Sequence, residues 1–84
     1  MFRYLCCCCE ETQSVLLGGN SLYKKVDIRV LILIECRYQV KIRAIKSRSQ
    51  SNEVMWKYEI RGRGQDLDSA RWEVLNYFEI LDRS

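Results

Sequence analysis

The fold turns on how residues 26–45, VDIRVLILIECRYQVKIRAI, are read. In the first half Val26, Ile28, Val30, Ile32 and Ile34 alternate along one face, while Leu31 and Leu33 make the end apolar on both faces. That pattern predicts a strand, covered on both sides at its far end. In the second half Tyr38, Val40, Ile42 and Ala44 alternate with Gln39, Lys41 and Arg43, as in a half-buried strand. Antiparallel pairing of the two halves sets Ile34 against Tyr38 and Ile32 against Val40. The loop is then Glu35-Cys36-Arg37, which offers no glycine for a left-handed position. A wider loop, or one long bent strand over residues 26–45, also satisfies the pattern.

Working outward, EVMWKYEIR (residues 53–61) alternates Val54, Trp56, Tyr58 and Ile60 with Met55, Lys57, Glu59 and Arg61, a third strand of period two. The polar stretch KSRSQSNE (residues 46–53) is a loop. A hairpin across it pairs Ala44 with Trp56, Ile42 with Tyr58 and Val40 with Ile60, and sets Lys41 against Glu59 on the other face. Gly62 and Gly64 then end the sheet, and DLDSARWEVLNYFEILDRS (residues 66–84) reads as a helix with Asp66 as N-cap and Asp68 in the first turn. Leu67, Ala70, Val74, Tyr77, Phe78 and Leu81 form the stripe that covers the sheet. Trp72, Asn76 and Ile80 fall outside it. They are either covered by the N-terminal segment, where residues 10–17 supply a turn of helix, or form a stripe for a protein partner or a second copy, a homodimer.

The sequence therefore predicts an α+β chain with a small, three-stranded, mainly antiparallel sheet packed against a C-terminal helix. It divides into a cysteine-rich segment, residues 1–20, and a single β-β-β-α domain, residues 21–84. Eighty-four residues give one modest core. Hydrophobic residues at 48% against 30% charged argue against wholesale disorder. Histidine is absent, which removes the commonest general base and a favoured metal ligand. Ser14, Ser47, Ser49 and Ser51 then have no base to activate them, and no catalytic constellation or cofactor motif is present. The uncharged apolar stretch at residues 30–34 is too short to span a bilayer. Phe2 in place of glycine excludes N-myristoylation, and the pattern before Glu10 does not predict a secretory signal.

Cys6, Cys7, Cys8 and Cys9 stand in one run between Phe2-Arg3-Tyr4-Leu5 and Glu10-Glu11. Adjacent cysteines point in different directions and only Cys36 lies elsewhere, so the spacing does not fit a zinc tetrahedron. Vicinal disulfides are strained and the count is odd, which points to a reducing, cytoplasmic setting. Two readings remain side by side: the four thiols are S-acylation targets, or the run is a tail with no specific function. A single acyl chain anchors weakly, and a basic patch supplies the second signal.

Such a patch is available. Residues 21–64 hold eleven basic against four acidic residues (+7), whereas residues 65–84 hold two against five (−3). Arg29, Arg37, Lys41, Arg43, Lys57, Arg61 and Arg63 are assigned to the sheet face away from the helix, suited to an anionic membrane surface, an acidic protein or the phosphates of duplex RNA. Tyr38, Trp56 and Tyr58 point to the core side, so the face has no stacking platform for single strands.

The stretch WKYEIRGRGQDLDSARWEVLNYFEIL (residues 56–81) resembles the C-terminal half of a double-stranded RNA-binding domain. Gly62 and Gly64 stand at that family's turn after the third strand, and Ala70 and Arg71 at its helical alanine and following basic residue. The resemblance implies duplex RNA binding, although the family's phosphate-gripping lysine pair falls at Leu67 and Asp68. In size and β-rich character the chain is also similar to small viral accessory proteins that modulate a host. The expected function is a non-enzymatic intracellular binding or regulatory module, cytoplasmic or peripheral to a membrane, with duplex RNA binding as the alternative.

Overall fold

The structure, a computed structural model, describes residues 10–83. Its elements run β1 (Glu11–Gly18), α1 (Asn20–Tyr23), α2 (Ile28–Tyr38), β2 (Lys41–Arg48), β3 (Val54–Gly62) and α3 (Gly64–Arg83). The three strands form one antiparallel sheet in the order β1-β3-β2, with α3 against one face. The α+β class, the three-stranded sheet and the C-terminal helix are as the sequence predicts. The order of elements is not.

The expected first strand is the helix α2. Asp27 lies in extended conformation at its N-cap, and its carboxylate accepts from the Arg29 backbone N–H at 2.9 Å. Helical spacing turns Leu31 and Ile34 into the core and leaves Ile28, Ile32 and Leu33 exposed. Glu35, Cys36 and Arg37 continue the last turns instead of forming a loop, and the absence of turn residues there is thereby explained. The helix ends at Gln39, left-handed at φ 54°, whose N–H bonds the Glu35 carbonyl.

The missing strand comes from residues assigned to the N-terminal segment. In β1, Val15 and Leu17 are buried while Thr12, Ser14 and Leu16 face outward, the two-residue alternation of a sheet edge. The sheet thus includes residues before 21, and Glu11–Gly18 form a strand in place of the helical turn expected over residues 10–17. Gly18, at φ +133°, takes the irregularity between Leu16 and Gly18, and a Cβ there would lie 2.9 Å from Leu22 Cδ1.

The β2–β3 hairpin is present, shifted two residues from the expected register: Ile42 pairs with Ile60, Ala44 with Tyr58 and Lys46 with Trp56. A two-residue shift keeps every side chain on its predicted face. The cross-strand ion pair moves with it, to Arg43–Glu59 in place of Lys41–Glu59. Its cause is the turn, where Asn52 at φ 68° donates its N–H to the Ser49 carbonyl and Ser49 donates to the Glu53 carbonyl.

The core joins Val15 and Leu17 of β1, Tyr58 and Ile60 of β3, Leu31 and Ile34 of α2, and Leu67, Ala70, Val74 and Phe78 of α3. Four of the six residues of the predicted helical stripe are in it, with Tyr77 and Leu81 packed at its margin. The helices are tied together by the Asp27 backbone N–H, which donates to the Tyr77 hydroxyl at 2.7 Å. Trp56 closes one end, its ring 3.7 Å from that of Tyr23 and its Nε1–H donating to Asn20 Oδ1 at 2.6 Å.

Candidate functional site

Because the helices cover one face of the sheet, the odd-numbered side chains of β2 and β3 and the even-numbered ones of β1 face outward together. The register arranges them in rows. Thr12, Arg61 and Lys41 stand abreast, then Ser14, Glu59 and Arg43, then Leu16, Lys57 and Ile45. This open face is the candidate site.

Its electrostatics are uneven. Arg43 Nη2 lies 3.4 Å from Glu59 Oε1, and Arg61 Nε lies 3.9 Å from Glu10 Oε1. Lys41 and Lys57 have no acidic partner among the described residues. Lys41 and Arg61 are direct cross-strand neighbours, an arrangement of like charges that weakens a sheet. With Thr12, Arg43 and Glu59 they line a shallow cavity of about 200 Å³. Beside this basic end, Leu16 is 65% exposed and shares its row with Ile45.

Of the seven basic residues assigned to the face, Lys41, Arg43, Lys57 and Arg61 are brought together there. Arg29 and Arg37 are not, because their segment is helical. Arg29 forks onto Asp27 at 3.0 Å, which holds the Asp27 carboxyl below its usual range. Arg37 Nη1 lies 3.0 Å from one Glu73 oxygen and 3.1 Å from the other. Tyr38, expected in the sheet, ends α2 and donates its hydroxyl to the same carboxylate, which raises the phenol above its ordinary range. Arg63 lies between β3 and α3, where its carbonyl accepts the Leu67 N–H and its side chain borders a cavity with Glu10, Tyr38 and Asp66.

Trp72, Asn76 and Ile80 lie on the outer side of α3, with Trp72 and Ile80 each 63% exposed. Asn76 and Ile80 border a shallow apolar groove with Val30 and Leu33 of α2, which the strand reading of residues 26–34 could not place. The helical signal was present in Asp27 preceding an apolar run with no breaker before Gln39. Cys6, Cys7, Cys8 and Cys9 lie outside the described residues; Cys36 is exposed on α2. No helix among the described residues is long and apolar enough to cross a membrane.

In comparisons with known proteins the chain matches no family model, no curated protein and no solved structure.

Proposed function

We propose that the chain is a non-enzymatic binding module, held at the anionic cytoplasmic surface of a membrane by acylated Cys6, Cys7, Cys8 and Cys9 acting together with the open face of the sheet. The observation that carries this reading is Lys41 set directly opposite Arg61 on an uncovered face. An anion between them turns their mutual repulsion into shared attraction. The cysteine run directly precedes Glu10 in the sequence, and the Glu10 carboxylate meets Arg61 on the open face. Each thiol is loaded by thioester exchange: the donor's acyl–sulfur bond breaks, the acyl–Sγ bond of cysteine forms, and the donor leaves as a free thiol.

Leu16 and Ile45 supply apolar contact beside the cations, the composition of an interfacial surface. Each cation near an anionic leaflet is worth about 1 kcal/mol, so three or four of them with one acyl chain suffice for attachment. Duplex RNA competes for the same cations. Against it stand the order β-α-α-β-β-α and the acidic start of α3 at Asp66 and Asp68, which turns negative charge toward any phosphate at that helix end.

The test is co-sedimentation with phosphatidylserine vesicles and, in parallel, titration with duplex RNA, both against salt. Vesicle binding that falls with salt and is lost in Lys41→Glu/Arg61→Glu supports the reading. In cells, the chain is expected to leave the membrane fraction after hydroxylamine and when the four cysteines become serine. Tight, salt-sensitive RNA binding with no vesicle binding overturns the reading.

A further inference from the structure

The sheet has a second uncovered feature, the edge of β2. Val40 N–H donates to the Glu35 carbonyl at 3.2 Å and Ile42 N–H to the Glu35 carboxylate at 2.7 Å, so both amides point away from β3. The two-residue period of a strand turns the amides of Ala44 and Lys46 the same way. Helix α2 covers only the Glu35 end, and no side chain of the described residues meets those two amides. Beside this edge, on the helix side, runs a groove of about 360 Å³ whose walls include Tyr23, Ile28, Ile32, Ile42, Ala44 and Tyr58. Ile28, 67% exposed, and Ile32, 47% exposed, project from α2 there without reaching the core.

We infer that the β2 edge and this groove receive an extended, acidic segment of a partner protein as a fourth strand, with its alternate apolar side chains in the groove. Backbone hydrogen bonds at an open edge give such a strand its affinity, and pockets for every second side chain give it selectivity. The acidic requirement comes from the edge itself. Lys41, Arg43, Lys46 and Arg48 are all exposed along β2; of the carboxylates beside them, Glu35 is held by the Ile42 amide and Glu59 pairs with Arg43 alone. A second copy is the wrong occupant, because edge-to-edge pairing of β2 with itself brings the exposed cations Lys41, Arg43, Lys46 and Arg48 of one edge close to the same four of the other. A strand alternating glutamate with valine or isoleucine meets both requirements. The inference names partner chemistry for the binding module; it shares Lys41 and Arg43 with the open face but does not rest on membrane attachment, since the backbone edge and the helix-side groove are its own.

The experiment uses the full reduced chain and a short synthetic peptide alternating glutamate and valine, with a lysine–valine peptide as control. Amide exchange at Ala44 and Lys46 is expected to slow on saturation with the first peptide, and its affinity to exceed that of the control at least about tenfold. Ala44→Pro removes an outward N–H that the β3 ladder does not use, so the fold is retained and the affinity falls about tenfold. Ile32→Glu, in the groove wall, weakens the same peptide and leaves vesicle binding unchanged. Should Ala44→Pro unfold, Ile32→Glu and amide exchange on the unaltered chain decide. Equal affinity for the two peptides, or no slowing at Ala44 and Lys46, overturns the inference. So does a concentration-dependent dimer with those amides protected in the absence of peptide.

Discussion

At Gly62 the last turn of the sheet and the start of α3 press together: a Cβ there would lie 2.5 Å from Val40 Cγ1 and 3.6 Å from Leu67 Cβ. Val40 is buried and holds the α2–β2 junction, so it has little room to yield. Gly62→Ala is expected to destabilise the chain by about 1–3 kcal/mol in urea unfolding, through overpacking and without loss of any hydrogen bond. The sequence marks Gly62 as a terminator of the strand, which it is, but the reason is a contact with a residue 22 positions earlier that no local pattern carries. Tyr58 makes a second residue-scale prediction. Burial, and then the neighbouring Tyr23 and Tyr77, push its phenol up to about 12. The folded state therefore favours the neutral phenol. The resulting stability is fully present below the unfolded value near 10 and is lost as pH rises toward about 12. Tyr58→Phe keeps the ring against Phe78, 5.2 Å away between centroids, and is expected to move the alkaline unfolding midpoint upward while changing little at neutral pH.

Elements are where pattern and structure part. In residues 26–34 the apolar residues are so dense that both a two-residue and a helical period can be drawn through them, and β-branched side chains favour the first. Tertiary contact decides for the helix: Leu31 and Ile34 pack with α3, Asp27 caps the start, and Arg37 bonds Glu73 near the end. In β1 the opposite holds, for only Val15 and Leu17 are buried and the strand exists because β3 has a free side to pair with. The period of two in β2 and β3 was legible because polar residues alternate cleanly there, and the faces survive even though the register slips by two. Glu35 is the joint between α2 and β2 and yields a prediction at this scale. Glu35→Ala removes the acceptor of the Ile42 N–H and is expected to cost about 1 kcal/mol. Hydrogen exchange at Ile42 should quicken well beyond the change at Ile60, whose place in the central strand is untouched.

Across the whole molecule the charge asymmetry legible in the sequence becomes a difference between the open face and α3. The open face gathers Lys41, Arg43, Lys57 and Arg61 against Glu59 and, at the Arg61 corner, Glu10, while α3, on the other side of the sheet, carries Asp66, Asp68, Glu73, Glu79 and Asp82 against Arg71 and Arg83. The candidate site was legible to the extent that its four strand cations lie on alternating positions; Arg29 and Arg37 were misplaced with their helix. A layered charge of this kind orients the protein near an anionic surface, since the basic face is drawn in and the acidic helix is turned away, within a Debye length of about 10 Å. Orientation is therefore the sharpest whole-molecule prediction. Leu16 lies on the open face and Trp72 on the outer side of α3, both largely exposed. With phosphatidylserine vesicles, fluorescence of Leu16→Trp in a Trp72→Phe background is expected to shift to the blue and to resist acrylamide quenching, while Trp72 of the unaltered chain stays as accessible as in water. Trp56, held by Asn20 and stacked on Tyr23, contributes a constant signal to both. Shielding of Trp72 with no change at position 16 reverses the assignment: the α2–α3 side is then the docking surface, and the cations of the open face act only through long-range attraction.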